Sequence, residues 1–330
     1  MIKIPIHHKQ IQKIGSYELH RNNILGKGSF STVYMGIYTK DPTQKVAIKK
    51  LAISNMTSKA LKFANSEIDI MKKIKNNPHP NIIKCYDIIN DDVDVYIIME
   101  YCDGGELSTI LTKPLTESTS KYYFKQLVDA MIHLDSHNII HRDIKPKNIL
   151  LTDNKLTLKI CDFGFSKEKT GLKKISSICG SPMYMAPEIL LNRTYNESVD
   201  IWSLGLILYE FVFGSHPYKH CKSLVDIRDE VISQSIPIPP NNNTSYKLSQ
   251  ECILLLKSLL NSNPESRLTL SDIKTNKWFA DYNHQIYQKF ADTDINDTSD
   301  DIDFGILKDV SESPTTNDIM NSVDSFDNFL

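Results

Sequence analysis

Residues 139–151 read IIHRDIKPKNILL. Six polar or charged side chains, His141, Arg142, Asp143, Lys145, Lys147 and Asn148, stand between two aliphatic runs, Ile139–Ile140 and the run of Ile149, Leu150 and Leu151. The flanking runs have the character of short buried strands. Burying the six groups without partners would cost several kcal/mol. A surface loop pinned at both ends by buried flanks costs less, and it is how functional groups are commonly presented. A charged turn of no consequence would have the same composition, so the rest of the chain has to decide.

The chain has 330 residues, 41% hydrophobic and 24% charged, enough for one large domain or two lobes with a sizeable core. The formal net charge is -2, which points to no nucleic-acid partner, but the charge is unevenly placed. Residues 281–330 hold 12 acidic residues and two lysines, net -10, and residues 1–280 carry +8. Cys85, Cys102, Cys161, Cys179, Cys221 and Cys252 form no C-x-x-C pair. This argues against zinc or a disulfide framework and for a reducing, cytoplasmic setting. MIKIPIHHKQ lacks a signal-peptide core. The longest apolar run, IWSLGLILYEFVF (201–213), is too short to span a bilayer and contains Glu210, so it predicts a buried helix.

Residues 1–16 show no clear pattern. From 17 to 100 the segments YELHRNNIL, TVYMGIYT, KVAIKKL and VYIIMEY alternate as strands do, and SKALKFANSEIDIMKKIKNN has helical spacing at Leu61, Ala64, Ile68, Met71 and Ile74. From 104 to 280 helical spacing dominates, as in 117–137, 198–213 and 248–261. Beyond about 282, DTDINDTSDDID and SESPTTND are too acidic to bury a core, and 281–330 reads as a disordered tail.

LGKGSFSTVYMG places Gly26 and Gly28 where backbone can approach a phosphate. A dinucleotide fingerprint would run into a helix, whereas here Val33, Met35 and Ile37 alternate as a strand. Ser31 takes the place of a third glycine, and no G-K-[ST] closes a Walker loop. VAIK (46–49) ends a strand on Lys49, whose ammonium needs an anion if buried. Glu67, 18 residues on, is the plausible partner. CDFG (161–164) puts Asp162 after the strand LTLKI, where a carboxylate suits a hard divalent cation. GSPMYMAPE closes on Glu188.

The order G-x-G, V-A-I-K, H-R-D-x-K-x-x-N, D-F-G, A-P-E over residues 17–280 resembles the eukaryotic protein kinase family. The resemblance implies a bilobal α+β fold: a small β-rich N-lobe (17–100) with one main helix, and a larger helical C-lobe (104–280). Residues 1–16 would be an N-terminal extension. It implies ATP as substrate and Mg²⁺ as cofactor. Asp143 would orient the hydroxyl of a protein substrate, Lys145 would neutralise the transferring phosphoryl group, and Asn148 and Asp162 would hold the metal. Lys49, paired with Glu67, would take the phosphates, beneath a loop of Leu25, Gly26, Lys27, Gly28 and Ser29. In the linker IIMEYCDGGEL, Met99 matches the gatekeeper, backbone groups of Glu100 and Cys102 would bond adenine, and Glu106 would meet the ribose or a basic substrate residue. Val33, Ala47 and Leu150 would sandwich the base. Lys145 and Ser181 mark Ser/Thr rather than Tyr specificity.

Arg142 beside Asp143 is, in such kinases, commonly the receiver of a phosphate on the activation segment 162–188, and Ser177 stands at the usual position. Glu188 and Arg267 match the family's buried ion pair. CGSPMYMAPEIL, DFGF and MEYCDGGEL look like the autophagy-initiating Ser/Thr kinases, most closely in the activation segment, and are shared in part with calmodulin-dependent kinases. In the tail, DDIDFGIL (300–307) resembles motifs that add a strand to ubiquitin-like modifiers through Phe304 and Leu307. The rival reading is a pseudokinase scaffold, which loss of Lys49, Asp143 or Asp162 would have favoured.

Overall fold

A computed structural model of the chain describes residues 10–28, 30–91, 93–169, 179–233, 236–239 and 247–296. Ser29, Ser177, Phe304 and Leu307 lie outside the described residues. The described chain forms two units, one of residues 10–78 with 83–101 and one of 79–82 with 102 onward. The architecture is the bilobal α+β arrangement, sheet first and helices after.

The first unit is an antiparallel six-stranded sheet in the order β1-β2-β3-β4-β6-β5. Its strands are β1 Ile11–Ile14, β2 Tyr17–Lys27, β3 Ser31–Tyr38, β4 Asp41–Leu51, β5 Cys85–Asn90 and β6 Val95–Glu100. The period of two sends Val46 and Ile48 of β4 into a core with Ile14, Tyr17, Leu19, Tyr96 and Ile98. Ala47 and Lys49 therefore lie on the opposite face. The sheet begins earlier than the 17–100 lobe expected: Ile11–Ile14 pairs with β2, and Gln12 donates to the Tyr96 hydroxyl at 3.0 Å. Gly36 allows the close approach of neighbouring strands, since a Cβ there would lie 2.5 Å from Ile48 and 2.7 Å from the Glu18 carbonyl.

Helix α1, Ser58–Asn76, is capped by Thr57, whose hydroxyl accepts from the Ala60 N–H. Its buried face is Ala60, Ala64, Glu67, Ile70, Met71 and Ile74. The stripe differs from the expected one by a rotation: Leu61 is 37% exposed and Ile68 only half-buried. The face is set by Glu67, which must turn inward to meet Lys49.

The second unit is built on α2, Glu117–Ser136, and α4, Ser198–Phe213. Residues 199–212 of α4 are all buried, which is why its sequence is apolar on every side. Around them lie α3 Pro187–Leu190, α5 Leu224–Ser233, α6 Gln250–Leu259 and α7 Leu270–Lys274. Two small antiparallel pairs carry the functional loops. These are β7 Ile139–Ile140 with β10 Lys167–Glu168, and β8 Ile149–Thr152 with β9 Thr157–Ile160.

Helix α8, His284–Asn296, occupies the start of the stretch read as a disordered tail. Tyr287 and Ala291 are buried on α2. The buried Lys121 holds the junction, binding Asp281 at 2.6 Å and the Tyr287 hydroxyl at 3.2 Å, while Tyr287 donates to Asp281 at 2.8 Å. Burial alone would lower the Lys121 pKa, and these partners raise it instead. Among the described residues no helix is long and apolar enough to cross a membrane.

Candidate active site

Each unit assembles its own part of the predicted site. In the sheet unit, β4 and α1 bring Lys49 and Glu67 together, Nζ to Oε1 at 2.5 Å, with the two residues 9% and 5% exposed. A buried ammonium without that carboxylate would be expensive. The loop after β2 is closed by the Gly28 N–H donating to the Ser31 carbonyl at 2.8 Å. Ser31 begins β3, so the glycine-rich segment joins two antiparallel strands. Leu25 and Lys27 are exposed and Gly26 has open space around it, while Val33 and Ala47 are half-buried on neighbouring strands. Met99 pairs with Ala47 across β4 and β6. The Glu100 N–H is committed to the Lys84 carbonyl at 3.0 Å, and its carboxylate accepts from the Lys84 N–H at 2.6 Å.

In the helical unit, Asp143 is the centre. It is 3% exposed. Its Oδ1 accepts from the Ser181 N–H at 2.8 Å, and its Oδ2 accepts from Asn148 Nδ2 at 2.7 Å and meets Lys145 Nζ at 2.9 Å. Lys145 Nζ also donates to Ser181 Oγ at 2.5 Å. Asn148 Nδ2 donates a second time, to the Asp143 carbonyl at 2.9 Å. The amide nitrogen of Asn148 is thus oriented by Asp143, which turns its oxygen the other way. Cys102, Glu106 and Leu150 lie along one path: the Gly104 N–H donates to the Leu151 carbonyl, the Leu151 N–H to the Gly105 carbonyl, and Glu106 bridges to Leu150.

The loop is held from behind by a residue that the sequence reading passed over. Asp200, at the mouth of α4, accepts from the backbone N–H of His141 and of Arg142, both at 2.8 Å. Burial pushes the Asp200 carboxyl up, and His141 and Arg142 pull against it. These bonds support Arg142 in the left-handed region at φ 68, a conformation rare for a non-glycine residue. Gly180, at φ +102, passes so close that a Cβ would lie 2.5 Å from the Arg142 carbonyl. The signal for Asp200 was a lone carboxylate opening an otherwise apolar helix.

His141 couples this loop to Asp162. Its Nδ1 accepts from the Asp143 N–H at 3.3 Å, so Nε2 carries the proton and donates to the Cys161 carbonyl at 3.1 Å. Its ring lies 5.0 Å from the fully buried Phe163. Asp162 follows at φ 59, exposed, with Gly164 N–H 3.4 Å from its Oδ1. An outward amide oxygen on Asn148 and a carboxylate on Asp162 fit Mg²⁺, which takes few protein oxygens and completes its shell with water and phosphate. Among the described residues no cluster of three or more His, Cys, Asp or Glu could hold a metal by itself. Arg142 donates to the Phe165 carbonyl at 2.6 Å and to the Tyr195 hydroxyl at 3.2 Å.

Beneath the segment after Ser181 lies a second buried carboxylate. Tyr184 donates to Glu210 at 2.5 Å. Burial pushes the Glu210 carboxyl up to about 7, against the pull of the Tyr184 bond. The folded protein then holds a proton on Glu210 that the unfolded chain releases above its ordinary value near 4.5. The stabilisation is complete below that value and is lost as pH rises through about 7. Urea unfolding at pH 5, 6, 7 and 8 is expected to show Glu210→Gln gaining stability relative to the parent as pH rises. A constant difference would count against this titration.

A lysine held by a helix carboxylate in a β-rich unit, and a carboxylate, an amide and an ammonium gathered on a loop of a helical unit, are groups of the kind phosphoryl transfer uses. Residues 19–279 match the protein kinase domain, and the chain belongs to that family. It is 35% identical over 287 residues to the serine/threonine-protein kinase atg1 of Dictyostelium discoideum, a match covering 84% of this chain and 41% of that one. The serine/threonine-protein kinase ATG1c of Arabidopsis thaliana is 36% identical over 272 residues, 81% of this chain and 36% of its own. Human serine/threonine-protein kinase ULK3 is 35% identical over 260 residues, 77% of this chain and 53% of its own. The chain spans less than two thirds of the length of each of these relatives. They agree with the resemblance read from the activation segment.

Proposed function

We propose that this chain is an active Ser/Thr protein kinase that transfers the γ-phosphoryl group of ATP·Mg²⁺ to hydroxyls of protein substrates. The observation that carries the reading is Lys145, whose ammonium bridges Asp143 Oδ2 and Ser181 Oγ. An acceptor hydroxyl beside Asp143 would find a base for its proton and a cation for the arriving charge at one point. Lys49, fixed by Glu67, supplies a cation for the phosphates, and the glycine-rich loop supplies backbone N–H groups. Asn148 and Asp162 would hold Mg²⁺, which supplies charge neutralisation on the phosphates. Catalysis of this kind rests on positioning and electrostatics rather than on a covalent intermediate. The kinase domain is assigned to 17–280, with β1 and α8 as flanking additions.

Arg142 is assigned a regulatory part. A phosphate on Ser177 would add about -1.5 to -2 charges within the activation segment, and a guanidinium can bind it bidentately. Exposed Glu106 would permit a basic residue in the substrate and Lys147 opposes one, whereas Glu210, expected from sequence to do the same, is buried against Tyr184 and holds its proton up to about pH 7. The test is transfer from ATP·Mg²⁺ to mixed Ser, Thr and Tyr peptides, with Asp162→Asn as control and the protein's own sites mapped. Label on Ser and Thr, lost in the control, is expected. ATP binding without transfer, even after Ser177 has been phosphorylated by another kinase, would replace this reading with a scaffold.

A further inference from the structure

Beneath the segment after Ser181 stands a histidine with no part in the machinery above. Helix α4 ends on Gly214, left-handed at φ 66, where a Cβ would lie 2.5 Å from the Pro114 nitrogen. His216 follows two residues on, ahead of Pro217, whose ring restricts the backbone before it. The imidazole closes this turn. Its Nδ1 accepts from the Tyr218 N–H at 3.2 Å, and the His216 carbonyl accepts from the Lys219 N–H at 3.2 Å. With Nδ1 an acceptor, Nε2 carries the proton. Burial pushes the imidazole down to about 3, with the Met183 backbone pulling the other way, so His216 is neutral at working pH.

The ring stands between two tyrosines, Tyr184 edge-on at 5.0 Å and 71° and Tyr218 at 5.7 Å. Tyr184 is the pillar of the segment. Its hydroxyl donates to Glu210 at 2.5 Å, its carbonyl accepts from Ser203 Oγ at 2.9 Å, and its N–H donates to the Ser181 carbonyl at 2.9 Å. His216 supports the ring itself. The Nε2–H is buried, with no acceptor within hydrogen-bond distance among the described residues. A buried donor left so is costly, and the Met183 backbone is the group that favours a proton there. A small settling of Met183 would bring its carbonyl within reach.

Ser181 binds both Asp143 and Lys145, so a peptide with its hydroxyl at Asp143 has to run over residues 182–185. We infer that His216 is a positioning residue for the protein substrate: it braces the Tyr184 ring, and it gives its Nε2–H to the Met183 carbonyl when a peptide presses on the segment. The inference rests on the kinase reading and adds to it a residue outside the motifs read from the sequence. A bond made only in the peptide complex strengthens peptide binding, so its loss appears in the peptide KM.

The test compares His216→Phe, which keeps a flat ring against Tyr184 and loses the donor, with His216→Gln, which keeps a donor near the Nε2 position. On the most readily labelled peptide of the mixed set, His216→Phe is expected to raise the peptide KM at least fivefold, with kcat and the KM for ATP within twofold. His216→Gln is expected to return the peptide KM to within twofold of the parent. A peptide KM unchanged in His216→Phe would overturn the inference, as would kcat and both KM values moving together, or a His216→Gln enzyme as impaired as His216→Phe. Hydrogen exchange tests the brace without phosphate transfer. In the free protein the Tyr184 and Met185 amides are expected to exchange several-fold faster in His216→Ala than in the parent, with α4 unchanged and with His216→Phe, which keeps the ring, like the parent. Equal exchange in His216→Ala and the parent overturns the brace. If the parent transfers no phosphate, the kinase reading fails and the exchange result still decides the brace.

Discussion

Asp143→Asn is expected to lower kcat by roughly 10²–10⁴-fold, the usual worth of a positioned proton acceptor, while leaving the KM for ATP within a few-fold. The carboxylate is surrounded by three donors, Ser181 N–H, Asn148 Nδ2 and Lys145 Nζ. An amide of the same shape keeps one acceptor oxygen but must turn an NH₂ toward Asn148 and Lys145 or toward Ser181 N–H, donor against donor. It also removes the atom that would take the hydroxyl proton. Lys49 and Glu67 lie in the other unit and keep their own pairing, so nucleotide binding is expected to persist. Rate and ATP affinity measured together decide the matter. If the Asp143→Asn enzyme retains more than a tenth of the parent kcat, Asp143 has no part in the reaction and Lys145 becomes the group to examine.

How far the site could be read from sequence varies with how local its causes are. Lys49 and Glu67 were legible as a pair because a lysine ending a buried strand requires an anion, and Glu67 is the helix carboxylate that follows. The orientation of α1 was less so. Apolar spacing favoured Leu61 and Ile68, but the ion pair turns Ala60, Glu67 and Ile70 inward. One electrostatic requirement outweighed two aliphatic side chains. Strand β1 was hidden for another reason. Four residues, IQKI, are too few to show alternation, and what orders them is a hairpin with β2 together with a remote bond, from Gln12 to Tyr96, 84 residues away. Helix α8 was obscured by the acidity around it. Its anchor, Lys121, lies 160 residues before Asp281 and looks like any polar residue of α2 until the fold buries it. Asp200 is the same case inside the site, since its two amide partners lie 58 and 59 residues away.

The largest stability effect is expected at Arg267. Its guanidinium makes a two-pronged bond to Glu188, at 2.8 and 3.1 Å, donates to the Ser198 carbonyl at 2.7 Å and to the Asn261 carbonyl at 3.1 Å, and lies 5.4 Å from the Trp202 ring. The Arg267 side chain is fully buried. Arg267→Ala takes the ion pair from the Glu188 carboxylate, leaving it Ser198 Oγ at 3.5 Å, and takes one donor each from the Ser198 and Asn261 carbonyls, in a buried site. Removing one partner of a buried pair typically costs about 3–5 kcal/mol, a large share of the ~5–15 kcal/mol that holds a domain together. Urea or thermal unfolding is expected to show that loss. Arg267→Lys should fall between, because an ammonium keeps the charge but cannot reproduce the fork or reach both carbonyls. The decisive variant is the double one, Glu188→Gln/Arg267→Met. If the cost of Arg267→Ala comes from an orphaned charge, the double variant should recover more than half of it, despite losing both members of the pair. If it is no more stable than Arg267→Ala, the guanidinium acts mainly through Ser198, Asn261 and Trp202, bracing the start of α4 where Asp200 holds the backbone of His141 and Arg142. Loss of Arg267 would then reach the site through Asp200, and kcat in the surviving folded fraction should fall as well.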